Sequence, residues 1–462
     1  MQSNEILIPK KNFEYWLSKN YYYHKLLIKF YKFIIPKNQN VLHVGCKNGY
    51  ILHALDPKLG VGIDNDELTI IQAREKYPKY EFYLNNLEND HTFDYIIISC
   101  DTLMETEDIQ NLFCSLKKYC HERTRIIIDW YSALWEPILW CTQKLGLKRP
   151  INFKNWISPY DAENFLHLAG FEKITSGKQI LVPKNIPIMS WIFNNIIAQL
   201  PILRFLCLNN WIIAKLKIEN SIKQLSTSVI VPCRNERGNI ENAVINCPNL
   251  GSWTEIIFVE GNSKDGTYEE IERIINKYPE KKIKLFKQVG KGKGDAVRKG
   301  FANASGDILM ILDADLTVSP QDLTKFYDCI VTGKGEFING CRLVYGMESE
   351  AMRFLNLIAN YCFGISLSWI LGQRIKDSLC GTKVLLKTDY EKIAENRDYF
   401  GDFDPFGDFD LIFGAAKLNL KIVDMPIRYK NRVYGTTQIS RFYHGFLLLQ
   451  MTILAFRKFK FK

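Results

Sequence analysis

Two series of short, β-branched segments, each interleaved with amphipathic stretches, constrain this chain most. The first series comprises NVLHVG (40–45), GVGIDN (60–65), FDYIIISC (93–100) and TRIIIDW (124–130). Alternation of apolar strands with helical patterns predicts a parallel sheet with helices on both faces. The series closes at NFLHLAGFEKITSGKQILVPK (164–184), a helix that ends at Gly170 and is followed by a strand pair. A second series begins at STSVIVPCRNE (226–236). It continues through TEIIFVEGNS (254–263), KIKLFKQVG (282–290) and ILMILDAD (308–315). The chain is therefore expected to be α/β with two Rossmann-like domains, because 462 residues exceed one ordinary core. The expected division is a first domain at 1–185, an apolar-then-polar connector at 186–225, a second domain at 226–445 and a basic amphipathic tail at 446–462.

The formal net charge of +10 is spread along the chain, which suits a phosphate-bearing ligand or an anionic membrane surface. It has no dense Lys/Arg stripe, which speaks against nucleic-acid binding. Twelve cysteines include no Cys-x-x-Cys pair and no histidine at zinc spacing, the pattern of reduced thiols in the cytoplasm. The N-terminus MQSNEILIPKKNFEYW lacks the layout of a secretory signal. The uncharged segment 354–373 contains Asn356 and Asn360, so it reads as a helix buried or lying on a bilayer rather than crossing it. With the tail HGFLLLQMTILAFRKFKFK, this suggests peripheral contact with the inner face of the cell membrane.

Two turns carry the candidate chemistry. In VLHVGCKNGYILHAL, Gly45 and Gly49 flank a strand-to-helix turn where backbone N–H groups can approach a ligand. Lys47 and Tyr50 stand where a dinucleotide fingerprint needs glycine, which disfavours NAD. Asp64 ends the next strand, where a carboxylate can accept both ribose hydroxyls. This layout resembles the class I S-adenosylmethionine-dependent methyltransferases over roughly residues 15–185. The resemblance implies S-adenosylmethionine as cofactor, held by Gly45, Gly49 and Asp64, with Asn86, Leu87 and Glu88 at the adenine. Two residues depart from it: His43 stands where that family carries an acid, and Lys47 where it carries a third glycine. Lys47 brings positive charge toward a sulfonium. Methyl transfer by this domain therefore stays open.

The second turn is DILMILDADLT (307–317), a buried strand running into the carboxylates Asp313 and Asp315. Such a pair needs positive charge between its members, and Mg²⁺ or Mn²⁺ would supply it while gripping a diphosphate. VIVPCRNE (229–236), FVEGNSKDGT (258–267) and KGKGDAVRKGF (291–301) surround it in order. These resemble the family 2 glycosyltransferases with the nucleotide-binding A-type fold. The likeness implies a nucleotide-sugar pocket lined by Pro232, Asn235, Glu236, Glu260 and Asp265, with Lys293, Arg298 and Asp313 nearby and metal at Asp313 and Asp315. DSLCGTKVL (377–385) and FGDFDLIFGAAKLNLKIVDMPIRYKNRVYGTT (406–437) resemble the acceptor half of polyprenyl-phosphate sugar transferases. By that resemblance Asp410 and Asp408 serve the acceptor, and Arg428 and Arg432 hold a phosphate. The acceptor is then a lipid phosphate or a glycan of the cell envelope. One alternative is a bifunctional enzyme acting on polysaccharide hydroxyls, with methyl transfer from the first domain. Another is a non-catalytic protein that binds nucleotide ligands.

Overall fold

The computed structural model describes residues 13–87, 91–151, 155–218, 224–345, 354–399, 407, 409–432, 434–435 and 441–460. The chain divides into two compact units, Met1–Lys217 and Ile218–Lys460.

Unit 1 is built on seven strands: β1 (Asn40–Val44), β2 (Leu59–Asp64), β3 (Glu81–Leu84), β4 (Phe93–Ile98), β5 (Cys120–Tyr131), β6 (Phe171–Gln179) and β7 (Asn209–Leu216). Their order in the sheet is β3-β2-β1-β4-β5-β7-β6. The first five are parallel, and β7 runs antiparallel to both neighbours. Strands β1 and β4 are buried almost throughout, as the β-branched runs require of a sheet covered on both faces. The strand order reverses between β1 and β4, so a crevice opens at their carboxyl ends. Residues 186–217, expected to be a connector, belong to this unit. The segment NNWIIAKL is apolar and β-branched enough to enter the sheet between β5 and β6. Its buried Asn209 donates to Asp129 at 3.2 Å and to Tyr23 at 3.0 Å.

Unit 2 contains β8 (Thr227–Cys233), β9 (Thr254–Glu260), β10 (Lys282–Lys287), β11 (Ile308–Ile311), β12 (Phe337–Cys341), β13 (Lys383–Leu386) and β14 (Ile422–Pro426). The order is β10-β9-β8-β11-β13-β12-β14, with β13 antiparallel to both neighbours. Asp307 locks the start of β11 beside β8, its carboxylate accepting from Ser226 N at 2.9 Å and Ser226 Oγ at 2.6 Å. The helices Phe354–Leu371 and Arg441–Lys460 pack together, with Trp369 stacked on Phe456 at 5.4 Å. Leu367, Ile370, Met451 and Phe459 are buried, while Ile358, Tyr361, Ile365, Phe446, Leu449 and Ile453 form outward stripes. The last helix begins at Arg441, before the expected tail. Among the described residues, no helix is long and apolar enough to cross a membrane.

Candidate donor site in unit 2 and glycine-turn cavity in unit 1

In unit 2 the parallel strands deliver their carboxyl ends to one edge, and the acids of the second turn sit there. Asp313 and Asp315 follow β11; Glu236 follows β8; Glu260 ends β9. Each acid of the pair has a cation. Lys293, first residue of the helix Lys293–Ala302, meets Asp313 at 2.5 Å. Arg432 reaches Asp315 at 2.7 Å and Glu236 at 3.0 Å, so one guanidinium bridges two acids far apart in sequence. Burial works to raise the Asp313 carboxyl, yet Lys293 prevails and holds it below the usual range. Burial keeps Glu236 above its ordinary value in spite of Arg432. Asp315 also accepts from Thr317 Oγ1 at 2.8 Å, and Glu236 from Asn239 at 2.7 Å.

The loops after β8 and β9 interlock. Asn235 holds a left-handed backbone at φ 56°, donates its N–H to Ser263 Oγ at 2.9 Å, and accepts from Lys264 N at 2.8 Å. Glu260 accepts from Ser263 N. Asp265 accepts from Thr267 Oγ1, from Arg237 N at 3.2 Å and from Tyr434 OH at 3.2 Å. Pro232 is half-buried at the end of β8. Gly381 makes room for the Lys293–Asp313 pair: a Cβ there would stand 2.1 Å from Asp313 Oδ2 and 2.2 Å from Lys293 Nζ.

The structure thus gathers Glu236, Asp313, Asp315, Lys293 and Arg432 into contacting groups, with Asn235, Glu260 and Asp265 ordering the adjacent loops. Arg298 lies five residues along the Lys293 helix on another face and makes no hydrogen bond or ion pair among the described residues. Asp410 is buried in the first turn of the helix Phe409–Lys417, 3.4 Å from Arg397. Nearby, Gly407 closes on Gly294, beside Lys293; a Cβ on Gly407 would stand 2.4 Å from the Gly294 Cα. Asp408 lies outside the described residues. Sequence reasoning missed Tyr434, which reaches Asp265, and the buried pair Arg342–Asp377 at 2.8 Å behind the site. Tyr434 stands two residues after Arg432, the one signal that could have found it.

The expectation that the acid pair requires a divalent cation for charge balance is corrected, because Lys293 and Arg432 already supply it. A divalent cation still fits. Mg²⁺ commonly takes one or two carboxylates and completes its shell with substrate phosphates. Among the described residues no group of three or more metal-ligating side chains forms an all-protein cage.

In unit 1 the glycine turn is real but closed. Gly45 and Gly49 have φ of 73° and 78°. A Cβ at Gly45 would meet Thr102 Oγ1 at 1.6 Å, and one at Gly49 the Phe82 ring at 2.6 Å, so packing accounts for both glycines. Gly45 N and Cys46 N donate to Ile63 O at 2.7 and 3.0 Å. Asp64 faces inward: its carboxylate accepts from Lys47 N at 2.9 Å and from Asp66 N at 3.2 Å, with Lys47 Nζ at 3.7 Å. Its side chain is 1% exposed. Asn86 is exposed, whereas Leu87 is buried and its carbonyl accepts from Tyr119 OH at 3.2 Å. Glu88 lies outside the described residues. The residues expected to hold S-adenosylmethionine fit it poorly here: the ribose acid is engaged internally, and Lys47 sets an ammonium 3.7 Å from it, against a cationic cofactor.

Beside this turn, at the carboxyl ends of β1 and β4, lies a cavity of about 310 Å³ walled by His43, Gly45, Lys47, Tyr50, Asp101 and Tyr131, among others. His43 is buried, neither ring nitrogen has a hydrogen-bond partner among the described residues, and burial with the Lys47 charge pulls its pKa down to about 3. Asp101 pairs with Arg149 at 2.9 Å.

Residues 228–393 match the family model described as Glycosyl transferase family 2. The dolichol-phosphate mannosyltransferase of Pyrococcus furiosus is 37% identical over 221 residues, covering 47% of this chain and 60% of that protein. The chain thus spans less than two thirds of that relative. Solved structures similar to part of this chain include S-adenosylmethionine-dependent methyltransferases. One of these from Thermotoga maritima, described as a possible histamine N-methyltransferase, is 13% identical, with a TM-score of 0.35 over 44% of this chain and 94% of that one. A glucosyl-3-phosphoglycerate synthase of Mycobacterium tuberculosis, solved with Mn²⁺, UDP-glucose and glycerol 3-phosphate, is 19% identical. Its TM-score is 0.38, over 51% of this chain and 80% of that one.

Proposed function

We propose that unit 2 transfers a sugar from a nucleotide-sugar donor to a polyprenyl phosphate. The match of 228–393 to a glycosyltransferase family and the likeness to a dolichol-phosphate mannosyltransferase support this reading. The observation that carries it is Arg432. A guanidinium from the acceptor half of the sequence bridges Asp315 and Glu236 on the donor edge. Its planar fork suits a diphosphate as well as it suits carboxylates.

In this reading the bond between the anomeric carbon and the diphosphate oxygen breaks as the acceptor oxygen bonds to that carbon. The nucleoside diphosphate leaves with the electron pair. Asn235, Glu260 and Asp265 order the loops that enclose base and ribose, with Pro232 beneath them. Lys293 and Arg432 hold the diphosphate and offset the charge gathering on it. Asp313 and Asp315 would hold Mg²⁺ or Mn²⁺, which supplies further positive charge to the leaving group when bound. A phosphate acceptor is already an anion and requires no base. Asp410, paired with Arg397, then positions the acceptor side of the site rather than removing a proton. If Asp408 takes part, it does so beside Asp410. A glycan hydroxyl as acceptor would instead assign Asp410 the proton. The outward stripes of Phe354–Leu371 and Arg441–Lys460 are suited to rest on a bilayer, which presents such an acceptor at the inner face of the cell membrane. S-adenosylmethionine is left out of this proposal because Asp64 is turned inward.

The test is a thermal-shift screen of sugar nucleotides with and without Mn²⁺. The donor raises the melting temperature by mass action, and Asp315→Asn abolishes the shift. If no sugar nucleotide stabilises the protein in any metal, the reading fails.

A further inference from the structure

The cavity of unit 1 has no task in the transfer reaction, and its surroundings are unlike an ordinary protein surface. Its wall continues into two segments that expose large apolar side chains side by side. Ile138, Trp140, Leu145 and Leu147 belong to the first, and Ile188 and Trp191 to the second. Exposure reaches 78% at Ile188, 72% at Leu145 and 79% at Ile202. The segments are joined: Trp135 Nε1 donates to Leu206 O at 2.8 Å, and Ile138, Leu147 and Lys184 line the same cavity. Contiguous apolar surface of this extent marks an interaction site. Exposed tryptophans with basic neighbours are the composition of a lipid–water interface.

Two lysines stand together at the edge of the cavity, Lys184 in its wall and Lys19 beside it. Lys184 Nζ donates to Asn20 Oδ1 at 2.9 Å and Lys19 O at 3.3 Å, while Lys19 Nζ donates to Gly146 O at 2.5 Å. Among the described residues no carboxylate lies within ion-pair reach of either ammonium. Burial, with Lys19 as a like-charged neighbour, holds Lys184 below its ordinary pKa. An anion at the rim would relieve both effects. Deeper inside, Lys148 faces the Tyr131 ring at 4.8 Å, and the walls are mainly aromatic and aliphatic. The volume of about 310 Å³ sits at the lower end of the roughly 300–1,000 Å³ usual for ligand pockets.

We propose that unit 1 is a lipid-binding module: the face formed by residues 134–147 and 186–206 rests on an anionic bilayer, and the cavity behind it takes the apolar chain of an amphipathic lipid whose negatively charged head is held by Lys19 and Lys184. Charge complementarity and the two exposed tryptophans, Trp140 and Trp191, select a bilayer over a protein partner. The cavity position, at the strand-order reversal, is where α/β sheets bind ligands, and here the closed glycine turn leaves it to a different molecule from a nucleoside. This inference stands apart from sugar transfer and is tested without donor or metal.

The full-length chain is sedimented with phosphatidylglycerol and with phosphatidylcholine vesicles, and titrated with 11-(dansylamino)undecanoic acid. The expected result is binding to phosphatidylglycerol, weaker by roughly tenfold or more in the double variant Lys19→Glu, Lys184→Glu. Trp191→Ser weakens binding to both vesicle types. The dansyl probe shifts to the blue on entering the cavity, and Thr142→Trp, a substitution on the helix Glu136–Lys144 at a residue that lines the cavity, abolishes the shift while the melting temperature persists. Absence of sedimentation overturns the proposal, as does a dansyl signal indifferent to Thr142→Trp. Concentration-dependent dimers abolished by Trp191→Ser, with no vesicle binding, would assign the face to a second copy of the chain and overturn it equally.

Discussion

Arg432→Ala probes the donor site from two directions at once. The guanidinium stands 2.7 Å from Asp315 Oδ2 and 3.0 Å from Glu236 Oε1, with its side chain 27% exposed. Hydrogen bonds to charged groups contribute about 1.5–3 kcal/mol each, and exposure and screening reduce that. The variant should therefore lose about 2 kcal/mol of stability. If Arg432 passes from the carboxylates to the diphosphate during transfer, kcat/KM falls by about 2–3 kcal/mol, roughly 30- to 150-fold. Metal binding changes with the opposite sign. In the free protein the cation must displace Arg432 from Asp315. Without that competitor, Mn²⁺ in the absence of donor should bind more tightly by about 1 kcal/mol, roughly fivefold. Removing the arginine also removes an influence that lowers Glu236, whose carboxyl then moves further above its ordinary range. Arg432→Lys keeps the charge without the fork, so it should recover stability better than turnover. Calorimetric titration of Mn²⁺, thermal unfolding and single-turnover transfer to polyprenyl phosphate read the three effects. Wild-type turnover in Arg432→Ala, with Mn²⁺ affinity unchanged, would refute the exchange of partners.

Gly381→Ala should displace the Lys293–Asp313 pair, since a Cβ would stand 2.1 Å from Asp313 Oδ2. Donor affinity measured by calorimetry should fall roughly tenfold or more, with the fold intact by circular dichroism. Asp377→Asn breaks a buried pair in which Arg342 donates to both carboxylate oxygens, at 2.8 and 2.9 Å. Urea unfolding should show a loss of about 3–5 kcal/mol. Asp129 sits in the unit 1 core, and burial pushes its carboxyl up to about 7. Between its unfolded pKa near 4 and that value, the folded state binds the extra proton, so stability falls as pH rises through this window. Asp129→Asn should remove that slope, equal to wild type near pH 4 and more stable near pH 8 by on the order of 4 kcal/mol at most. Parallel urea titrations at the two pH values check it; a wild-type curve that stays flat across the window counts against a buried, protonated Asp129.

What the sequence disclosed depended on how locally each feature was determined. Strands β1, β4, β8 and β11 were legible because a segment buried on both faces must be apolar throughout, and that pattern lies within six or seven residues. Their carboxyl ends were legible with them, so Glu236, Glu260, Asp313 and Asp315 could be placed on one edge before any coordinates. The connector failed for a related reason. NNWIIAKL carries a strand pattern, but a strand inserted antiparallel between β5 and β6 leaves no local sign of which sheet it joins. Asp64 shows a second kind of failure. Its position at the end of β2 was read correctly, but the φ of 49° at Lys47 turns that backbone N–H onto the carboxylate, and no propensity for lysine announces it. The acid pair is the most instructive case. Sequence reasoning asked what neutralises Asp313 and Asp315 and answered with a metal, because cations 20 and 117 residues away have no sequence signature as partners. A site whose acids are already balanced by side-chain cations can accept a metal and a diphosphate together, the metal taking the carboxylates and the diphosphate taking the cations. Either one alone would leave like charges facing each other, so the arrangement favours the pair over its parts.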